Sequence, residues 1–350
     1  MKENDRLKQL LYMGYLICTI ISCQKESIPE KNSVEINAYE KYLADFNSGR
    51  LDSSAFIITQ DGGSVYYHYY SGSQVYNNME YPIYYYSLCK YDISNRLVWK
   101  YTYGNGDENN DFHKVIQTDE GSILFTGNRC KPDLSNYVHA FVKLTKNGEF
   151  LWEKTYDGLG INYLGSVCQT SDKGFVLVGM IKKNEEFDWI IIKTSRDGIL
   201  EWSKTYGEQS IIDTPQSIIQ TDDNGFLITV LTDNNYDTAE QMNHVVKLDP
   251  YGSMVKVTDL PSGTQYCNDI IRANDEGYLL AIPYFHFQPE ELILCLFKLN
   301  STGDIIWTKE HAMELNVSLE ARIMQLSDTG YFFMDKHSFL RFNNAGDPVE

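Results

Sequence analysis

The chain has 350 residues, 48 acidic against 30 basic side chains, a net charge of −18 and 43% hydrophobic residues. That length holds one large all-β domain or two average domains around a real core, and 22% charged residues exclude a mainly disordered chain. The acidic balance excludes nucleic acid or an anionic bilayer as the main partner, because both need clustered Lys and Arg.

In chain order, Lys2, Arg6 and Lys8 precede an apolar run from Leu10 to Ile21. The run is shorter than the ~20 residues that span a bilayer and has the length of a secretory signal core. It ends Ile20-Ile21-Ser22-Cys23, which resembles the lipobox of bacterial lipoproteins, with Ile20 where Leu is commoner. The resemblance implies cleavage before Cys23 and a diacylglyceryl group on its thiol. The polar start Gln24-Lys25-Glu26-Ser27 is similar to export tags of surface-displayed outer-membrane lipoproteins. The expected address is therefore the bacterial outer membrane or cell surface, with the membrane met only through a lipid anchor. Residues 1–22 read as the signal peptide and 23–54 as a polar tether. Without the signal, 27 basic and 46 acidic residues remain, a net −19. Of seven cysteines, Cys89, Cys130, Cys168, Cys267 and Cys295 then remain as thiols, an odd number without a CxxC, so neither a zinc site nor a disulfide framework is encoded.

Residues 55–350 repeat. Gly148-Glu149-Phe150-Leu151-Trp152-Glu153-Lys154-Thr155-Tyr156 returns as Gly198-Ile199-Leu200-Glu201-Trp202-Ser203-Lys204-Thr205-Tyr206, with weaker copies at Trp99 and Trp307 and a Trp-less one after Gly252. A second marker, Asp two residues before Gly, recurs at Asp61, Asp119, Asp172, Asp223, Asp275 and Asp328; its glycines are 58, 53, 51, 52 and 53 residues apart. A third marker is an apolar run closed by a cation, at Lys90, Lys143, Lys193, Lys247, Lys298 and Arg341. Each copy holds four strand-like runs; in the fourth they are Ser217 to Thr221, Phe226 to Leu231, His244 to Leu248 and Met254 to Thr258. A period near 50 with four strands, here called a to d, predicts an all-β, six-bladed β-propeller of four-stranded antiparallel blades, with strand a innermost. Blades should begin near 55, 113, 165, 215, 267 and 320. The sixth closes either on the stub Gly346 to Glu350 or on residues 33–39, the stub being preferred.

The W-x-K-T-Y-G, I-Q-T-x-D-x-G-[FY] and K-[LT]-x-x-x-G pattern resembles β-propeller repeats of bacterial secreted and surface lipoproteins, and distantly the quinoprotein propeller repeat. The first resemblance implies fold and export without a defined activity. The second implies that Trp152, Trp202 and Trp307 dock neighbouring blades, with Trp99 fitting less well because its turn lacks Gly.

The a–b and c–d turns are short and share one end of the blades. The longer b–c segments (71–83, 128–138, 182–188, 232–243, 284–291) and the d–a loops share the other, and binding sites favour such loops on a rigid scaffold. At that end Asn110, Asn162, Asp213, Gln265 and Ser318 stand at one repeat position. They read as a polar ring at the channel mouth for a sugar, peptide or water-held ion, or as caps on free strand-end backbone. Tyr163, Tyr236, Tyr266 and His286 are the aromatic candidates beside them. Asp107-x-Asn109-x-Asp111 and Asp233-x-Asn235-x-Asp237 copy the first ligands of a Ca²⁺ loop but lack its Gly and twelfth-position Glu, so no cofactor is expected. Cys168 and Cys89 take core positions of the repeat and read as inert thiols. No catalytic motif is visible and no catalytic residue is assigned. The leading expectation is a binding module for a glycan or protein partner. A structural scaffold of the outer membrane and a glycan-active hydrolase or lyase are the alternatives; the last needs two carboxylates or a Tyr/His pair in reach of each other.

Overall fold

The computed structural model describes residues 56–106, 108–134, 136–156, 158–183, 186–207, 212–233, 241–261, 269–273, 275–287, 290–313, 322–325, 330–334 and 339–349. The signal segment, Cys23, the tether and residues 33–39 lie outside them, as do Tyr236, Gln265, Tyr266, Ser318 and the second Asp-rich turn beyond Asp233.

The described residues are all β, arranged as successive antiparallel sheets. The first holds β1 (Phe56–Ile58), β2 (Ser64–Tyr76), β3 (Met79–Tyr91) and β4 (Leu97–Thr102). The second holds β5 (Asn109–Gln117), β6 (Ile123–Cys130), β7 (Val138–Leu144) and β8 (Phe150–Lys154). The third holds β9 (Ile161–Gln169), β10 (Phe175–Lys183), β11 (Glu186–Thr194) and β12 (Leu200–Tyr206). The fourth holds β13 (Ile212–Gln220), β14 (Phe226–Asp233), β15 (Gln241–Leu248) and β16 (Met254–Asp259). The fifth holds β17 (Ile270–Arg272), β18 (Tyr278–Phe287), β19 (Glu290–Leu299) and β20 (Ile305–Met313). The sixth holds β21 (Arg322–Gln325), β22 (Tyr331–Met334) and β23 (Phe339–Phe342), with Pro348 bridging Phe342 where a fourth strand would run.

The middle strands are covered on both faces, so they read as continuous apolar runs; Ile190, Ile191 and Ile192 are all buried. The outer strands alternate or lie open, as in β16 and β20. Between consecutive sheets lies a hydrophobic core, five of them among the described residues. The first strands of successive sheets run beside one another, β1 by β5, β5 by β9, β9 by β13, β13 by β17 and β17 by β21, which makes strand a the inner one. This is a β-propeller-like fold.

Strand a starts up to four residues earlier than its hydrophobic pattern suggests: at 109, 161 and 212 rather than 113, 165 and 215. A bulge explains the difference. The ladder skips His113, Gly165 and Gln216, breaking the alternation that marks a strand. Several b–c segments that read as loops are strand as well: residues 71–83 are the tip of the β2–β3 hairpin, and β10–β11 and β18–β19 pair up to Lys183–Glu186 and Phe287–Glu290.

The repeat markers have physical partners. Lys90 Nζ donates to Asp61 at 2.7 Å, Lys143 pairs with Glu120 at 3.0 Å, Lys193 with Asp172 at 2.8 Å, Lys247 with Asp223 at 2.7 Å, and Lys298 with Asp275. Each lysine is at most 6% exposed. The cation closing strand c therefore clamps the a–b turn of its own sheet. Glycine at that turn permits the approach: a Cβ on Gly63 or Gly225 would lie 2.2 or 2.3 Å from the strand-c carbonyl of Tyr91 or Leu248. In the second sheet the equivalent acid is Glu120 rather than Asp119, whose carboxylate instead meets Lys173 of the third sheet at 2.5 Å.

The tryptophans join sheet to sheet. A Cβ on Gly148 would strike the Trp99 ring at 2.5 Å, one on Gly198 the Trp152 ring at 3.0 Å, one on Gly252 the Trp202 ring at 2.9 Å and one on Gly346 the Trp307 ring at 2.6 Å. Tyr156, Tyr206 and His311, four residues after their Trp, also reach the carbonyls of Gly198, Gly252 and Gly346. Trp99 docks like the others. The glycine that matters is in the next sheet, and the missing glycine of its own turn has no bearing on it.

Candidate functional site

The loop-bearing end of the sheets differs from copy to copy. Between inner strands, Lys114 Nζ of β5 meets Asp269 Oδ1, just before β17, at 2.8 Å, with side chains 13% and 14% exposed. This pair links the second sheet directly to the segment that leads into the fifth.

The polar-ring residues fare differently. Asn110 is buried; its Oδ1 accepts the Tyr86 N–H at 2.7 Å and its Nδ2 donates to the Tyr103 carbonyl. Its neighbour Asn109 accepts the Tyr84 N–H at 2.7 Å, which engages one oxygen of the Asp107-x-Asn109-x-Asp111 turn. Strand β4 pairs only with Ser87–Tyr91, so these amides continue the ladder along the β3 edge where strand d has ended. Asp213 accepts from Thr232 Oγ1 in its own sheet at 2.7 Å. Asn162 is exposed. His286 lies on β18 opposite Glu291. Tyr163 packs on His113, ring centres 4.4 Å apart.

This Tyr/His pair is a structural latch. Leu164 offers only a carbonyl oxygen, so His113 Nδ1 carries the proton and donates to it at 2.6 Å, while Nε2 accepts from Asn128 Nδ2 at 3.0 Å. Burial pushes the imidazole down to about 4, against the weaker opposing effect of that bond. Burial, helped by the Asp111 charge, pushes the Tyr163 phenol up to about 12. Both groups are neutral at pH 7, and both His113 nitrogens are engaged.

Beside this latch lies a groove of about 500 Å³ between the first and second sheets. It exists because β2 and β3 are 13 residues each and outrun the other strands of their sheet. Tyr81, Pro82, Tyr84 and Tyr86 of β3 form one wall, Asn109 to Asp111 and Asn128 the floor, and the segment after β6, with Pro132, Asp133, Leu134 and Tyr137, the other wall. Tyr84 and Tyr137 are 47% and 54% exposed. On the floor, Asn128 stands in register with Asp111 on one side and His139 on the other. Burial, with His113 adding a little, holds the His139 imidazole below its ordinary range. Apolar ring faces beside a few amides and carboxylates make a recognition surface.

Sequence reasoning found Asn110 here but missed the tyrosines. The available signal was length: the first D-x-G spacing is 58 residues against 51–53 elsewhere, and Tyr81, Tyr84, Tyr85 and Tyr86 crowd the extra segment. As for the thiols, burial pushes Cys89 up to about 11 and Cys168 to about 12, in keeping with inert core cysteines.

No protein-family model matches the chain, and no curated protein matches it. Solved structures do resemble it. An unknown function protein from Dyadobacter fermentans DSM 18053 superposes with a TM-score of 0.55 at 12% identity, over 84% of this chain and 91% of that one. An ulvan lyase of a new polysaccharide lyase family gives 0.49 at 10%, over 84% and 80%. The endo-arabinase from Bacteroides thetaiotaomicron VPI-5482 gives 0.44 at 9%, over 69% and 93%. Likeness at this identity concerns fold alone.

Proposed function

We propose that the chain is a bacterial surface lipoprotein, anchored through Cys23, whose six-bladed β-propeller binds a glycan in the tyrosine-walled groove. The observation that carries the binding role is the groove itself, built where one sheet departs from the repeat. Flat, half-exposed Tyr84 and Tyr137 rings suit the apolar face of a sugar, and the amides beside them suit its hydroxyls. Six blades are supported by the Lys114–Asp269 pair, because the second and fifth positions face each other across a ring of six. The exposed Asn162, with Asp213, Gln265 and Ser318, would extend ligand contact toward the axis. Tyr236, Tyr266 and His286 would add aromatic contact there.

Glycan-array binding by the whole chain tests the reading. Tyr84→Ala and Tyr137→Ala should each weaken binding about tenfold while leaving the melting temperature within a degree or two, since each removes one stacking face and little core. Unchanged binding in both variants would overturn the groove assignment, and a wild-type chain that captures a protein but no glycan would replace the ligand class. Labelling with a fatty-acid analogue, lost in Cys23→Ala, tests the anchor.

A further inference from the structure

We infer that Asn128 is the specificity-determining residue of the groove: its side-chain carbonyl, fixed in direction by His113, accepts from an unsubstituted sugar hydroxyl and turns away the same sugar when that oxygen is methylated, acetylated or sulfated. This rests on the glycan-binding reading above. The bonds that set the direction begin at one backbone carbonyl. Leu164 O can only accept, so it fixes the proton of His113 on Nδ1, at 2.6 Å. His113 Nε2 is then an acceptor, and of the two ends of the Asn128 amide only Nδ2 can serve it, at 3.0 Å. Tyr163 packs on the imidazole, ring centres 4.4 Å apart, and holds its plane. The Asn128 amide is thus kept from turning over as a surface amide does, and its Oδ1 is the end turned away from His113.

Asn128 is half-buried and lines the groove; among the described residues no donor meets its Oδ1, which is open to solvent. The other polar groups of the floor are engaged. Asn109 and Asn110 are buried, and their oxygens accept the Tyr84 and Tyr86 N–H groups. Asp111 accepts the Phe112 N–H, and Asp133 on the far wall acts on the Lys131 charge. A hydroxyl brings the Asn128 oxygen a hydrogen, whereas an ether, ester or sulfate oxygen meets it lone pair to lone pair. Stacking on Tyr84 and Tyr137 is nearly blind to that difference, so Asn128 supplies a selection that the rings lack. The competing account makes Asn128 a support for His113 alone.

Two measurements on the whole chain separate the accounts. Two-bond nitrogen–proton spectra at pH 7 should show His113 with its proton on Nδ1 and a bare Nε2. A glycan array printed twice, with free hydroxyls and after permethylation, then reads the selection. The wild-type chain should bind the free form at least about fivefold more tightly, and Asn128→Leu should weaken that binding about fivefold while leaving the permethylated form unchanged. Asn128→Asp keeps the shape and offers an oxygen to both sides, so it should retain wild-type binding, with His113 now protonated on both nitrogens. A mere support would lose as much in Asn128→Asp as in Asn128→Leu. A His113 proton on Nε2, permethylated glycans bound as tightly as free ones by the wild-type chain, undiminished binding in Asn128→Leu, or equal losses in the two variants overturns the assignment and leaves the glycan reading standing. A wild-type chain that captures no glycan in either form removes the glycan reading itself, and this assignment with it.

Discussion

At the a–b and c–d end of the sheets, the same two devices recur: a buried lysine clamps an acidic turn in five sheets, and a Trp ring covers the turn glycine of the next sheet at four junctions. At the opposite end, a hairpin of two 13-residue strands, a 3-10 turn at Tyr103–Gly106 and the segment after β6 with Pro132, Asp133, Leu134 and Tyr137 each occur once among the described residues. The first end is constrained by assembly, because every sheet must meet its neighbour in the same way. The second end is released from that constraint, and the groove lies there. Repetition in this chain marks what holds it together, and lapses of repetition mark what remains for function.

The largest expected effect tests the assembling end. Trp202→Ala should cost about 3 kcal/mol, the low end for a large aromatic because the ring is only partly buried, and chemical denaturation measures it. Asp223→Ala should cost about 2–3 kcal/mol by stranding the Lys247 ammonium. That is less than for a fully buried pair because Asp223 is 60% exposed, and adding Lys247→Met should recover most of the loss. Gly252→Ala should cost about 1–3 kcal/mol, since φ is +77° and the new methyl meets the Trp202 ring.

Acid should take the two ends apart in sequence. His113 falls from an ordinary 6.5 to about 4 in the fold, so its contribution is complete above pH 6.5 and is lost as pH falls toward 4. At Asp61 and Asp223 burial pushes the carboxyl up, but the bonds from Lys90 and Lys247 and from the turn outweigh it and hold both at about 2. Their contribution is complete above about pH 4 and is lost between there and pH 2. Melting temperatures from pH 7 to 2 should therefore fall in two steps, and His113→Asn should shrink the first, leaving only the share of His139, and spare the second. A first step of undiminished size in this variant would detach it from the latch. The smallest effect belongs to the groove: Tyr84→Ala should change stability by less than about 0.5 kcal/mol, as for other half-exposed surface positions.

Much of the fold was legible because its devices recur. Successive four-stranded sheets could be read from spacing, though the sixth holds three strands and a bridge, and tryptophan docking could be read from the resemblance of the repeat. Two of the markers are coupled: the turn acid and the strand-c cation are two ends of one ion pair, so each predicts the other. Exchange between neighbours hid one detail, since Glu120 does in the second sheet what Asp does elsewhere while Asp119 pairs outward. The groove was less legible because its parts occur once. Tyr81, Tyr84 and Tyr86 read as ordinary strand formers, and nothing in a single sequence says which side of a strand a neighbour leaves uncovered. Asn110 was found as a polar position, yet its amide serves the Tyr86 and Tyr103 backbone, a partnership set by where β4 happens to stop.

The tryptophan docking also has a direction: the first, second, third and fifth sheets each carry a ring forward onto a bare turn of the next sheet. Asn95, at the turn of the first sheet, shares the left-handed conformation at φ 57° but carries a Cβ where Gly148 could not. Four residues past Gly346, where the earlier copies place Trp or Lys256, stands Glu350. In a closed ring of six, the seam between the last sheet and the first would thus lack both the inserting ring and its receptor, and they are lost together at the one junction that duplication of an internal copy would never have to rebuild. If the ring closes there, deuterium should enter the amides of β1 and β23 well before those of β10 and β11.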